Sequence, residues 1–344
     1  MLAFGVGLAV LYSASDNDSG SIIRQMVRFG VGFAVLLVFS RTPPKILRTW
    51  TPAAYIFSCT LLIIVALIGE GRGAQRWLDL GFVRFQPSEL LKITVPMMLA
   101  WYFHRRSLPP RFTDLIAAMV LIAIPVGLIA RQPDLGTALL VAISGAFVLF
   151  LAGLSWRWII GLVVTAACAS PLVWHFMHPY QRNRVLTMFN PESDPLGKGW
   201  NIIQSKIAVG SGGLYGKGWQ NGTQAHLDFL PERSTDFILA VYAEEFGLIG
   251  VIILLVLYWF IIARCLTIAT LAKDTYARLL AGSLGLTFFV YVTVNAGMIT
   301  GLLPVVGVPL PLISYGGTSI VSLMAGFGII MSVYNFRKFL KSPM

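Results

Sequence analysis

Apolar residues run through this chain in long blocks, with polar residues gathered between them. Ten blocks stand out, at 1–14, 22–40, 51–69, 88–104, 113–130, 136–153, 156–176, 236–264, 278–302 and 315–336. About 20 apolar residues cross the ~30 Å hydrocarbon core of a bilayer as a helix. The pattern therefore predicts an all-α, polytopic integral membrane protein of about ten transmembrane helices, one membrane domain over 1–344. The block 1–14 is the shortest, roughly 21 Å of helix at about 1.5 Å per residue. Ser13, Ala14 and Ser15 resemble a cleavage site, but no basic region precedes the block, so it reads as a first span, clipped or started late.

Two connecting regions are too long and too patterned to be plain links. The larger, 177–235, carries Trp200, Trp219, Phe229 and the helix-like stretch NIIQSKIAV. A connection of that length is uncommon unless functional or disordered, and its aromatic content predicts a structured extracytoplasmic loop. The smaller, GEGRGAQRWLDLGFVRFQPSELLK at 69–92, mixes Trp, Leu and Phe with Arg as an interfacial segment does. Pro304, Pro309 and Pro311 exclude regular helix from GLLPVVGVPLPLISYGGTS, 301–319. Irregular backbone at a membrane edge is tolerated only where protein or a wet cavity satisfies it.

Charge fixes the orientation. Hydrophobic residues make up 56% and charged residues 12%, with a net charge of +11. Ten spans place both termini on one side. With that side cytoplasmic, the inner stretches hold 13 of the 26 basic residues and only two acids, Asp114 and Asp274. The remaining basic and acidic residues balance, so the whole excess lies inside, as the positive-inside rule expects. The +11 is a membrane signature and implies no nucleic acid. Cys59, Cys168 and Cys265 have no ligand spacing and read as filler; His175 and His178, without a third ligand, are weak as a metal pair.

Ionisable residues inside spans are costly and mark function by default. Here they are Glu89 and Lys92, Asp134, and Asp236, Glu244 and Glu245, all in the outer half of the predicted bilayer or at its edge. Each has a plainer reading. Asp236 in STD suits a helix N-cap, and Asp134 after Pro133 suits another. Glu89 and Lys92, three residues apart, neutralise each other on one helix face and shape a site rather than do chemistry. At 100° per residue Glu244 lies about 80° around the helix from Asp236 and ~12 Å deeper, while Glu245 points the opposite way. One glutamate is then expected to share a cleft with Asp236 and the other to face a neighbouring helix or protein. The glycines of GSGGLYGKG turn backbone N–H groups toward an anion, or form an ordinary mobile turn.

Five stretches in order, GAQRWLDLGFVRFQPSELLK, QPDLGT, NPESDPLGKGWNIIQSKIAVGSGGL, FLPERSTDFILAVYAEEFG and LPVVGVPLPLISYGG, resemble the SEDS family (shape, elongation, division and sporulation). The last resembles its elongation branch more than its division branch. Relatives have a longer amino end with a full first span, whereas this chain begins inside it. The resemblance implies a peptidoglycan glycosyltransferase that polymerises lipid II, a disaccharide-pentapeptide on undecaprenyl pyrophosphate, at the outer face of the bacterial cytoplasmic (inner) membrane. It implies a class B penicillin-binding protein as partner, and MreB, MreC, MreD and RodZ of the elongation machinery.

The family's essential aspartate falls on Asp236. An acceptor sugar hydroxyl needs a carboxylate base within hydrogen-bond reach, and a pyrophosphate leaving group wants positive charge. Arg76, Lys92 and Lys206 are the cations expected there, with Glu89, Asp134 and Glu244 as further substrate-contacting residues. Whether a divalent cation, Mg or Mn, assists the pyrophosphate stays open. Two rivals belong to other classes. A flippase for lipid II should carry polar or broken helices near the midplane, which the one-sided charge map opposes; a non-catalytic scaffold for the penicillin-binding protein has no need of buried acids facing outward.

Overall fold

The computed structural model describes residues 1–15, 18–68, 76–79, 84–177, 179–193, 197–226, 229–230 and 232–339. The described chain is built of helices: α1 (Leu2–Ala14), α2 (Ser19–Arg41), α3 (Pro44–Ile68), α4 (Ser88–Phe103), α5 (Phe112–Arg131), α6 (Leu135–Leu151), α7 (Trp156–Phe176), α8 (Pro179–Phe189), α9 (Lys198–Ser211), α10 (Thr223–His226), α11 (Ile238–Thr270), α12 (Thr275–Ile299) and α13 (Thr318–Phe339). Of these, α2, α3, α5, α11, α12 and α13 are long and apolar enough to cross a membrane, and α1 and α6 are shorter apolar helices. The stretch around Trp77 contributes an antiparallel ladder of two residues a side, Leu78 opposite Phe85 and Asp79 opposite Arg84.

Helix ends follow local chemistry. Asp18 accepts from the backbone N–H groups of Gly20 and Ser21 at 2.9 and 3.0 Å, capping α2. Those bonds, with the Ser21 hydroxyl foremost, hold its carboxyl below the usual range. Pro44 opens α3 at the position where a missing N–H costs nothing. The expected helical character of NIIQSKIAV is realised in α9, and the proline-rich stretch 301–317 is non-helical.

The chain divides into two compact units. One comprises Met1–Gln25, Ser155–Trp259 and Tyr291–Gly316. In it Gly7 of α1 lies tight against the Leu312–Ile313 backbone, and α9 is tied down by the Trp200 indole donating to the Phe229 carbonyl at 2.7 Å.

The other unit comprises Met26–Leu154, Phe260–Val290 and Gly317–Met344. Here α4 packs against α3, α5, α6 and α13, and Leu91, Val95, Leu99, Phe103, Ile122 and Val141 form its buried interior. Asp114 and Asp274, the two acids of the predicted inner side, each pair with an arginine, Arg106 at 2.8 Å and Arg48 at 3.5 Å.

Candidate functional site

The expected site residues divide between the two units. Asp236, Lys206 and Glu244 belong to the first, and Arg76, Glu89, Lys92 and Asp134 to the second.

Asp236 is half-buried in the turn that leads into α11, which starts two residues later at Ile238. Three consecutive carbonyls of this turn are taken by donors from elsewhere. Ser234 O accepts from Tyr315 N at 2.9 Å, Thr235 O from the Ser314 hydroxyl at 2.6 Å, and Asp236 O from the Asn295 amide at 2.9 Å. Asn295, on α12, gives its second amide proton to Val308 O at 2.8 Å. The loop 301–316 is itself pinned, by the Tyr258 hydroxyl to Pro311 O and by Gln25 to Ser314 O. At Gly307, where φ is +78°, a Cβ would stand 3.4 Å from Asp236 Oδ2, so the carboxylate borders the loop.

Lys206 is exposed on α9, and its side chain covers Gly301, just past the end of α12. Its neighbour Ser205 donates to Ile299 O at 3.0 Å. The ammonium thus sits at the carboxyl end of α12, where the helix dipole favours a cation.

Glu244 and Glu245 are both buried in α11. Glu244 accepts from Lys217 Nζ at 2.6 Å, from the Thr223 N–H and hydroxyl at 2.8 and 2.9 Å, and from Gln224 N at 3.2 Å. With the Ser211 hydroxyl, at 3.5 Å, these donors all lie in 211–224, and they include the first N–H groups of α10. Glu245 instead accepts from the Ser13 hydroxyl of α1, so it does face a neighbouring helix.

The glycine-rich loop corrects both readings of GSGGLYGKG. Between the two glutamates and Leu248, α11 is interrupted at Gly247, whose φ and ψ are 65° and −167°, a region open essentially to glycine alone. The break frees backbone carbonyls and N–H groups, and the loop pairs with two of each. Lys217 N and Gly218 N donate to Glu244 O and Glu245 O, each at 3.0 Å, while Leu248 N and Ile249 N donate to Gly213 O and Leu214 O at 2.9 and 3.1 Å. The approach is backbone on backbone: a Cβ at Gly216 would overlap the Glu245 carbonyl. These N–H groups serve a helix, so the loop is neither an anion nest nor a loose turn. The apolar block 236–264 is accordingly two helical pieces joined through a third segment.

In the second unit Lys92 Nζ contacts Glu89 Oε1 at 2.7 Å, and Glu89 Oε2 accepts from Ser322 of α13 at 2.8 Å; both charged residues are 6% exposed. Asp134 caps α6 by accepting from Thr137 N at 3.2 Å and also takes a bond from Gln86 Nε2 at 3.0 Å. Arg76 donates to the carbonyls of Gln132 and Pro133, so the side chains of Arg76 and Gln86 converge on the α5–α6 turn. Among the described residues no three His, Cys, Asp or Glu side chains come together as metal ligands. His178 lies outside the described residues.

Residues 1–339 match the model of a cell cycle protein family that comprises FtsW, RodA and SpoVE. The chain belongs to this family. It is 55% identical over 333 residues to the peptidoglycan glycosyltransferase MrdB of Escherichia coli K12, covering 96% of this chain and 90% of that one. It is 35% identical over 342 residues to a probable peptidoglycan glycosyltransferase FtsW of Trichlorobacter lovleyi, covering 95% and 89%. Among solved structures it matches the Thermus thermophilus rod shape determining protein RodA, with a TM-score of 0.74, 30% identity and coverage of 98% and 94%. It also matches a chain from a study of how a peptidoglycan synthase complex coordinates polymerization and crosslinking, with a TM-score of 0.85, 33% identity and coverage of 98% and 95%.

For this member of the FtsW/RodA/SpoVE family, sequence reasoning overlooked Asn295, Ser314 and Lys217. Asn295 left a signal, a lone carboxamide inside the span YVTVNAGMIT; a search confined to ionisable residues passes over it. Ser314 and Lys217 lie inside stretches already singled out, LPVVGVPLPLISYGG and GSGGLYGKG, but nothing in either stretch says which group the side chain meets.

Proposed function

We propose that the chain is a peptidoglycan glycosyltransferase of the bacterial inner membrane that polymerises lipid II during elongation, with Asp236 as general base. The observation that carries the reading is the 55% identity, over nearly the whole chain, to a protein of that activity. In this reading ten spans place both termini in the cytoplasm and 177–235 outside, so Asp236 stands at the outer end of α11. Its carboxylate takes the proton of the acceptor sugar hydroxyl as that oxygen attacks the donor's anomeric carbon, and the bond to pyrophosphate breaks. Loop 301–316 touches Lys206 at Gly301 and Asp236 at Gly307. Those glycines are six positions apart in the chain, at most about 22 Å, so an exposed cation lies within reach of the diphosphate of a bound lipid. Arg76 and Lys92 are proposed as further cations for the substrate and Glu89 and Asp134 as further contacts, whereas Glu244, wholly enclosed among the donors of its own loop, is withdrawn from that role.

A class B penicillin-binding protein is the proposed partner, consistent with the structural likeness to a synthase-complex chain, and MreB, MreC, MreD and RodZ the wider machinery. The break in α11 gives the flippase reading no support, because the freed backbone groups are filled by the protein's own loop rather than left for a cargo.

The test is polymerisation of labelled lipid II by the chain with its class B partner, read as glycan on a gel, for wild type and Asp236→Asn. Asn caps a helix about as well as Asp, so the substitution removes the base and spares any cap. Polymer from wild type and none from a folded variant supports the base; normal polymerisation by the variant overturns it. Lys206→Ala should raise KM for lipid II several-fold, and an unchanged KM removes Lys206 from the pyrophosphate.

A further inference from the structure

Asp236 stands in a turn, and a turn fixes a side chain only as well as its backbone is held. Its carbonyl and the two before it face three donors, and two of those are the side chains of Asn295 and Ser314. Asn295 is fully buried, and its two amide protons go to two carbonyls, Asp236 O and Val308 O. Both partners are acceptors, so the carboxamide has one orientation that works. That orientation leaves Asn295 Oδ1 buried with no hydrogen-bond partner, which costs stability. An apolar residue of the same size would carry no such orphan, so packing alone does not account for an asparagine here. The same loop borders the carboxylate at Gly307. One carboxamide therefore sets the distance between the backbone of Asp236 and the loop against which its side chain rests.

We propose that Asn295 is a positioning residue for the reaction: it locks the Asp236 backbone to loop 301–316 at Val308, with Ser314 as a second tie at Thr235. It touches no substrate and acts through Asp236, so the proposal rests on Asp236 being the base. A displacement of about 1 Å at a reacting group can cost a hundredfold in rate.

The experiment uses the full chain with its class B partner and labelled lipid II, measuring kcat, KM and Tm for wild type, Asn295→Leu, Ser314→Ala, Asp236→Asn and Thr51→Val. The last removes a buried hydroxyl bond to Tyr276 in the other unit and reports the effect of loosening alone. The expected result is a fall of about 10- to 100-fold in kcat for Asn295→Leu, with KM within twofold, while Thr51→Val keeps its kcat at a comparable loss of Tm. Wild-type kcat in Asn295→Leu beside an inactive Asp236→Asn overturns the positioning role and leaves the base intact. A rise in KM matching the fall in kcat, or an equal fall in Thr51→Val, also overturns it. Activity in Asp236→Asn removes the base and this proposal together. If Asn295→Leu does not fold, Ser314→Ala decides: a several-fold lower kcat at unchanged KM supports the clamp, and a wild-type kcat overturns it.

Discussion

Replacing Glu244 by Gln separates two roles for the same carboxylate. In the structure it is wholly enclosed, and its donors are Lys217, Thr223 and Gln224. Gln keeps the shape and one acceptor oxygen, so the bonds to the Thr223 N–H and hydroxyl survive. It loses the charge that pairs with Lys217, and its amide protons meet the Gln224 N–H. Breaking a buried ion pair costs about 3–5 kcal/mol. The Lys217 side chain is 28% exposed and can turn to water, so about 2–4 kcal/mol is expected here. For 344 residues, at about 2 cal/mol/K per residue, the unfolding entropy is roughly 0.7 kcal/mol/K, and Tm should fall by about 3–6 °C. The assay is thermal unfolding of the detergent-solubilised protein, with KM for lipid II measured on the fraction that remains folded. The reasoning fails if Tm is unchanged and KM rises, for the carboxylate would then be serving the substrate and not the loop.

Gly216→Ala forces a methyl group into the Glu245 carbonyl at a φ of +80°, and should cost more than about 2 kcal/mol; wild-type thermal stability would remove the close approach from the account. Asp134→Ala deletes the cap of α6 and the Gln86 bond, for a loss of about 1–2 kcal/mol read as a lower Tm. Lys92→Met strands Glu89 in a buried setting and should cost about 3–5 kcal/mol. The double variant Glu89→Leu with Lys92→Met should recover most of that, and a double variant no better than the single contradicts the pairing.

Much of this was legible in the residues because membranes write a strong signal. Length and unbroken apolarity mark α2, α3 and α5 before any motif is considered, and the three prolines of 301–319 announce the irregular loop. What stayed hidden is pairing across the sequence. Gly213, Gly216, Gly218 and Gly247 are visible as glycines, but nothing in their spacing says that two segments share one set of backbone bonds. Periodicity places Glu244 and Glu245 on different faces of one helix, correctly, yet it cannot say that Thr223 and Lys217 wait beside the first and Ser13 beside the second. Asn295 belongs to the same class: its two acceptors lie 59 and 13 residues away.

The exchange of backbone bonds between 213–218 and α11 has a consequence for how this chain can vary in length. Four bonds run in strict order, from Gly213 and Leu214 to the far side of the break and from Lys217 and Gly218 to the near side. Inserting one residue between Leu214 and Lys217 would advance both donors past their carbonyls and leave orphaned groups on each bank of the gap. A deletion would do the same from the other direction. Ordinary surface loops absorb such changes at little cost, whereas this one has the fixed register of a strand. Insertions and deletions in 177–235 must therefore fall outside 213–218, and a single added residue within 213–218 should be more damaging than a long insertion beyond it.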